Sequence, residues 1–571
     1  MDYMKIYDRW LSSVGDGELK SELRAIAGDE DEIKARFGRS LEFGTAGLRG
    51  IMGAGTSRMN IYTVGHATQA MAKLVVSCGR EAMERGVCIA FDSRNCSALF
   101  ARRAACVLAA NGVKAYLFDA LRPTPELSFA VRYRHAIAGI NITASHNPKE
   151  YNGYKAYWED GAQMSLENSK KVSDIMAETD MFTDVKTADF DAAVSEGKIV
   201  IMGRETDEAY LRCVLSEAVD TSYVKKADLK VVYTPFHGAG YKLVPEVMER
   251  IGVERVVPVR EQFEPDGAFP TVKSPNPENP ESFALAKELA VREGADIVIG
   301  TDPDSDRIGV LSPCGGEWRH LNGNQVGVVL LDYIIKGLRR SGRMPAHPAA
   351  IKTIVSSELF RRIAEKNGVA LFEVLTGFKF IGEKILEFEK TGGYDYIFGY
   401  EESYGYLKGT YCRDKDAVVA SMLVCEAAAY YKTRGMTLWD ALDEIYEEYG
   451  CSLEGLINVT DPKFATPAEM GAVMAGIRAN APESIGGFKV TAVRDYKKGT
   501  RLDTATGEET PLTLPKSDVL YYELCDGSRF IMRPSGTEPK VKIYFLVSGR
   551  DMDECRAKLE AFREYGNSLL K

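Results

Sequence analysis

The sequence has no CxxC pair, no GxSxG turn and no excess of basic residues, and its apolar runs are short. Its 11 cysteines, an odd number, are scattered from Cys78 to Cys555, which points to reduced thiols with packing roles in a cytoplasmic protein, not to a disulfide framework. The 72 Lys and Arg are outnumbered by 82 Asp and Glu, for a net charge of -10. That balance argues against nucleic-acid binding and against a polybasic membrane anchor, while leaving room for a local pocket that holds a small anion. The most apolar stretch considered as a span, GVVLLDYII before Lys336, is too short to cross a bilayer, and the acidic first 30 residues show no signal-peptide pattern. GLRRSGRM has the glycine spacing of a P-loop, but Arg343 and Met344 stand where Lys and Ser/Thr are required, and HGAGYKL lacks the third glycine of a dinucleotide fingerprint.

What is present is a soluble globular composition, 45% hydrophobic and 27% charged over 571 residues, enough for about four domains. Residues 1 to about 40 carry apolar positions at helical spacing. A helical pattern from His66 to Arg85, the strand VCIAFD, a helix from Ser97 to Asn111 and the strand VKAYLF then follow β-α-β logic. The strand AGINIT runs straight into SHNP. New α/β units begin near LKVVYTP and near Asn322, and the last quarter reads as a smaller α+β unit. The expected domains are 1–209, 210–321, 322–455 and 456–571.

Five segments carry chemistry. TDPDSDR places Asp302, Asp304 and Asp306 at every second position after an apolar strand, so an extended turn would aim three carboxylates one way. Three such acids repel unless a cation sits among them, and a hard divalent ion such as Mg²⁺ suits all-oxygen ligands beside phosphate. An EF-hand is excluded by Arg307 and Pro313 at its sixth and twelfth positions; a solvated acidic turn is the alternative. In TASHNPKEYNGYK, Ser145 and His146 end a strand and Lys155 follows, which fits either a nucleophile or a phosphate cradle, or else a capped turn and a surface lysine. RPSGTEPK offers Arg533, Ser535, Gly536 and Thr537 to a phosphate dianion, or forms a hairpin turn. GYEESYG presents Glu401 and Ser403 as partners for sugar hydroxyls, or opens a helix. LEFGTAGLRG sets Thr45 and Arg49 between glycines that let backbone approach an anion.

Taken in order, TAGLRG, TASHNP, TDPDSDR, GYEESYG and RPSGTEPK resemble the α-D-phosphohexomutase superfamily, its longer phosphoglucomutase- and phosphopentomutase-like branch, over nearly the whole chain. The resemblance implies a four-domain α/β architecture with three related α/β domains and a smaller α+β C-terminal domain around a central cleft. It implies Ser145 as phosphoserine, and Asp302, Asp304, Asp306 and a phosphoserine oxygen as Mg²⁺ ligands. Glu401 and Ser403 resemble the sugar readers, and Arg533, Ser535, Gly536 and Thr537 the distal phosphate loop. Thr376, Gly377 and Lys379 in TGFK resemble a substrate loop, and Thr45 and Arg307 join the substrate set. Pro303 and Ser305 replace glycines common in the metal loop, but the three acids remain.

The implied reaction is reversible transfer of the Ser145 phosphoryl group to a sugar monophosphate, through a bisphosphate intermediate, with glucose 1,6-bisphosphate as priming activator. Interconversion of glucose 1-phosphate and glucose 6-phosphate is expected first. Phosphopentomutase, phosphomannomutase, sugar-bisphosphate synthase and a noncatalytic sugar-phosphate sensor are the alternatives. Arg49, His146 and Lys155 would stabilise charge around the transferring group. Lys155 would be the general base or acid if its pKa is lowered. Monomer and homodimer both stay open.

Overall fold

A computed structural model of the chain describes residues 2–44, 47–459, 467–534 and 540–569. These form two compact units. One gathers the described residues up to Asn322 with Gly382–Gly392 and Ser403–Thr437; the other holds Gly323–Ile381, Gly393–Glu402 and the described residues from Leu438 on.

The first unit opens with helices Tyr3–Ser13, Gly17–Ala25 and Glu30–Phe37, each N-capped by an aspartate side chain (Asp2, Asp16 and Asp29). A six-stranded sheet follows. Four of its strands, Ala138–Ile142, Val87–Phe91, Ala115–Phe118 and Ile199–Met202, run parallel, while Tyr151–Trp158 and then Leu48–Ile51 are added antiparallel at one edge. Ala138–Ile142 is buried along its whole length, as a parallel strand covered on both faces must be, and its apolar run carries no alternation. The helical stretch expected over His66–Arg85 is two helices, Ile61–Ser77 and Arg80–Arg85. Gly79 at φ +97° breaks it, a conformation that side chains resist.

In the second sheet of this unit Ile297–Thr301, Lys230–Thr234 and Arg255–Pro258 run parallel in that order, Ile308–Cys314 pairs antiparallel with Ile297–Thr301, and Glu317–Leu321 pairs antiparallel with Ile308–Cys314 at the edge. The two catalytic candidates therefore leave comparable places, the carboxyl ends of Ala138–Ile142 and Ile297–Thr301. Open α/β sheets bind ligands at such ends.

In the second unit, Ala370–Val374, Pro348–Thr353 and Asp395–Glu401 form a parallel ladder. A separate antiparallel sheet runs from Cys451–Val459 through Val541–Gly549, Arg529–Pro534, Leu520–Leu524 and Phe488–Asp495, with helix Met552–Leu569 against it. Cys451–Val459 pairs with Val541–Gly549 residue for residue, so the strand crosses the expected boundary at 455. Ile354, Val355 and Leu375 share a core with Tyr521, Ile531 and Tyr544, which ties the two sheets of this unit together. Ion pairs reinforce the seam, Arg494 bridging Glu373 at 3.3 Å and Glu523 at 2.6 Å.

Candidate active site

After Ala138–Ile142 the chain turns sharply, and Ser145 sits at φ +52°, a left-handed conformation rare outside glycine. The turn is fixed by the Ser145 N–H, which donates to Thr143 Oγ1 at 2.8 Å. This brings the buried Ser145 Oγ to 3.0 Å from Asp302 Oδ2, to which it donates, and to 3.2 Å from His146 Nδ1. Strain of this kind is concentrated where a side chain must be aimed.

The aspartates do not converge by strand alternation, as the period-two spacing suggested. A tight turn gathers them. Asp302 Oδ1 accepts the N–H groups of Asp306 and Arg307 at 3.1 and 3.0 Å, and Ser305 at φ +52° reverses the chain between. Gly238 lets the preceding loop close on it, since a Cβ there would lie 2.4 Å from the Pro303 Cα. All three carboxylates are buried, which removes the solvated-turn reading, and each offers an oxygen within 4.8 Å of the others.

Asp304 Oδ1 and Asp306 Oδ1 have no hydrogen-bond partner among the described residues. Burial, then the charges of Asp306 and Asp304, push the Asp302 carboxyl far above its usual range. Oxygen-only donors, orphaned and mutually repelling, fit a hard divalent cation such as Mg²⁺.

Lys155 lies on the antiparallel strand Tyr151–Trp158, which carries it back to the acids, its Nζ 2.6 Å from Asp304 Oδ2 and 3.1 Å from Asp306 Oδ2. Burial alone would lower its pKa, but Asp304 and Asp306 override burial and hold it above the ordinary lysine value. The lowered pKa that a general base needs is absent here. Burial, reinforced by Arg307 and Arg49, pushes His146 well below the usual imidazole value, so it is neutral. Arg49 donates to Asn147 Oδ1 at 3.1 Å and Arg307 pairs with Glu278 at 2.8 Å, so both cations frame the serine loop.

Of the expected sugar and phosphate readers, Thr376, Gly377, Lys379, Glu401 and Arg533 belong to the second unit. Glu401 ends Asp395–Glu401, and Glu402 Oε2 accepts from Thr353 Oγ1 at 3.1 Å. Thr376 Oγ1 is buried without a hydrogen-bond partner among the described residues, Gly377 bends at φ +121°, and Lys379 lies over the Phe380 ring. Arg533 reaches Tyr544 Oη at 3.3 Å. Burial would lower the Arg533 pKa, but Tyr544, Glu402 and Glu401 raise it, so this guanidinium and the two glutamates share one locality. Ser403 belongs to the other unit, where Tyr404 follows at φ +64°. Thr45, Ser535, Gly536 and Thr537 lie outside the described residues.

Three residues near the acids were not singled out from the sequence. Lys415 Nζ lies 3.1 Å from Asp306 Oδ2 and 3.2 Å from Asp414 Oδ1. Asp414 in turn accepts from Tyr157 Oη at 2.8 Å. Thr124 Oγ1 donates to Asp304 Oδ2 at 2.6 Å. The only signal for Lys415 was a run of alternating charges, RDKD, and that is common on surfaces.

Comparison with known proteins adds an independent line. Models of phosphoglucomutase/phosphomannomutase α/β/α domains I, II and III match residues 40–182, 208–315 and 322–449. The chain is 35% identical over 562 residues to a phosphoglucomutase of Staphylococcus saprophyticus, covering 98% of this chain and 99% of that one. It is 37% identical over 531 residues to a phosphoglucomutase of Staphylococcus epidermidis, covering 93% and 94%. Among solved structures, a phosphoglucomutase/phosphomannomutase family protein of Burkholderia thailandensis has the same fold at TM-score 0.67 and 18% identity, over 92% of this chain and 97% of that one. The open form of parafusin, a phosphoglucomutase from Paramecium, matches at TM-score 0.65 and 18% identity, over 93% and 95%.

Proposed function

The chain belongs to the phosphoglucomutase/phosphomannomutase family, and from that membership we propose that it is a phosphoglucomutase acting through phosphorylated Ser145. The observation that carries the reading is the Ser145 hydroxyl 3.0 Å from Asp302 of a buried three-aspartate turn. The choice of glucose rests on the relatives, which bear the name phosphoglucomutase at 35 to 37% identity.

In the forward half-reaction the bond from Ser145 Oγ to phosphorus breaks and a bond from phosphorus to the free sugar hydroxyl oxygen forms, the proton of that hydroxyl ending on Ser145 Oγ, which is left as a neutral hydroxyl. The resulting bisphosphate turns and returns its other phosphoryl group to Ser145. Asp302, Asp304 and Asp306 would hold Mg²⁺, which neutralises phosphate charge when bound. Lys155 and Lys415, both ammonium ions on the acids, add fixed positive charge beside the transferring group. Lys155 serves as base only in a state where its proton has left. Arg533 and Glu401 would hold a phosphate and sugar hydroxyls of the substrate. We place the protein in the cytoplasm, in keeping with cysteines that form no disulfide.

Coupled turnover with glucose 1-phosphate, mannose 1-phosphate and ribose 1-phosphate, each with Mg²⁺ and its bisphosphate, tests the assignment. A dominant kcat/KM for glucose 1-phosphate is expected. A dominant ribose value would make the enzyme a phosphopentomutase, and a dominant mannose value a phosphomannomutase.

A further inference from the structure

Arg94 lies just beyond the strand Val87–Phe91, and both terminal nitrogens of its buried side chain donate to the segment that carries Ser145. One terminal nitrogen donates to the carbonyls of Ser145 and Asn147. The other donates to those of Pro148 and Tyr151, at 2.9 and 3.0 Å. Nε faces Asp92 Oδ2 at 3.3 Å. Asp92 is itself held: its N–H donates to the Ile142 carbonyl at 3.1 Å, and its Oδ1 accepts from the Arg94 N–H and Ser97 Oγ at 2.9 and 2.8 Å. The ring of Phe269 stacks over the guanidinium at 5.1 Å.

The remaining carbonyl of the loop's first half, that of His146, accepts from Ser274 Oγ at 3.0 Å. Every carbonyl from Ser145 to Pro148 is thus tied down by a hydrogen bond. The consequence is electrostatic as well as geometric. A dianion on Ser145 is repelled by carbonyl dipoles that face it, and a loop whose carbonyls are all committed elsewhere cannot swing one towards it. The clamp also holds the left-handed bend that aims Oγ at Asp302. A guanidinium meets four carbonyls because its donors form a planar fork on separate nitrogens; a lysine has three donors on one nitrogen and cannot reach all four.

We infer that Arg94 is a positioning residue for phosphoryl transfer, setting the aim of Ser145 through four main-chain carbonyls while touching neither substrate nor metal. The inference rests on the reading of Ser145 as the phosphoryl carrier. Its experiment is single-turnover transfer. Enzyme is charged with labelled glucose 1,6-bisphosphate and Mg²⁺, chased with unlabelled glucose 1-phosphate, and the loss of label from Ser145 is followed by rapid quench. The amplitude reports how much enzyme is folded and charged, and the rate constant reports how well the serine is aimed.

In Arg94→Lys the rate constant should fall about 10²-fold, the cost of misplacing a reacting atom by about 1 Å, with KM for the sugar phosphate within about twofold. Ser274→Ala, which releases the His146 carbonyl alone, should lower the rate constant about fivefold. That variant decides the matter if Arg94→Lys does not fold. Charged variants that transfer at the parental rate would overturn the inference and leave the phosphoserine reading standing. A parental enzyme that takes no label on Ser145 would overturn both.

Discussion

Lys155 and Asp304 meet at 2.6 Å in the interior, the lysine arriving from an antiparallel strand of the first sheet and the aspartate from a turn at the end of a strand in the second. The pair joins the two halves of the proposed site, phosphoserine loop and metal turn, and it fixes the charge state of both members. The lysine is held protonated, and Asp304 is held ionised against the opposing effects of burial and of Asp306.

Asp304→Asn therefore removes a ligand and a counter-charge together. Turnover should fall on the order of 10²-fold, and the Mg²⁺ concentration giving half-maximal rate should rise by about tenfold or more. A Mg²⁺ titration of the purified variant reads both. An unchanged titration curve would take Asp304 out of the metal site.

Replacing Lys155 with Met should cost about 10² to 10³-fold in kcat, the range of a fixed charge aimed at the transferring group. Because its pKa is raised, the group stays charged throughout the neutral range. The kcat/KM profile should then show no limb from Lys155 between pH 6 and 9, in contrast to a base poised near neutrality. A limb in that range that disappears in Lys155→Arg would show the opposite.

Arg533→Ala should raise KM about 10²-fold, because a partly buried charge proposed to grip the nonreacting phosphate is lost. Steady-state kinetics with glucose 1-phosphate at saturating Mg²⁺ separates KM from kcat. A normal KM would place the distal phosphate elsewhere.

Away from the site, Glu426 gives a pH signature in stability. It is buried on helix Ala417–Lys432, and burial pushes its carboxyl up to about 7, only partly offset by the Val219 N–H at 2.9 Å and by Lys408. A carboxyl whose folded pKa exceeds its ordinary 4.5 binds its proton more tightly when folded. The associated stability is full below about pH 4.5 and is lost as pH rises through 7. A difference of this size corresponds to about 3 kcal/mol. Glu426→Gln should remove that pH-dependent loss, so that between pH 5 and 8 its denaturation midpoint falls less than the parent's. Parallel midpoint curves would contradict the assignment.

The sequence made Ser145 and the aspartate turn legible because each is a compact motif directly after an apolar strand, and strand ends are where open α/β sheets carry chemistry. The shape of the turn was not legible. Spacing by two suggested extended backbone, whereas Ser305 adopts a left-handed conformation that its residue type does not announce. Lys415 and Arg94 were hidden for another reason. Each acquires its role only through contacts distant in sequence, Lys415 on Asp306 and Arg94 on the carbonyls of residues 145 to 151. Main-chain acceptors leave no trace in side-chain identity. The protonation of Lys155 likewise depends on Asp304 and Asp306 being folded against it, which no local pattern encodes.

The central claim is that Ser145 carries the transferred phosphoryl group, and the direct measurement is to charge the enzyme with glucose 1,6-bisphosphate and Mg²⁺, locate the phosphate by peptide mass spectrometry, and chase it with glucose 1-phosphate. The account predicts a single phosphoryl group on Ser145 that leaves at a rate no slower than kcat and is absent from Ser145→Ala, which has no turnover. Phosphate on another residue, a phosphoserine discharged more slowly than turnover, or a fully active Ser145→Ala variant would contradict it.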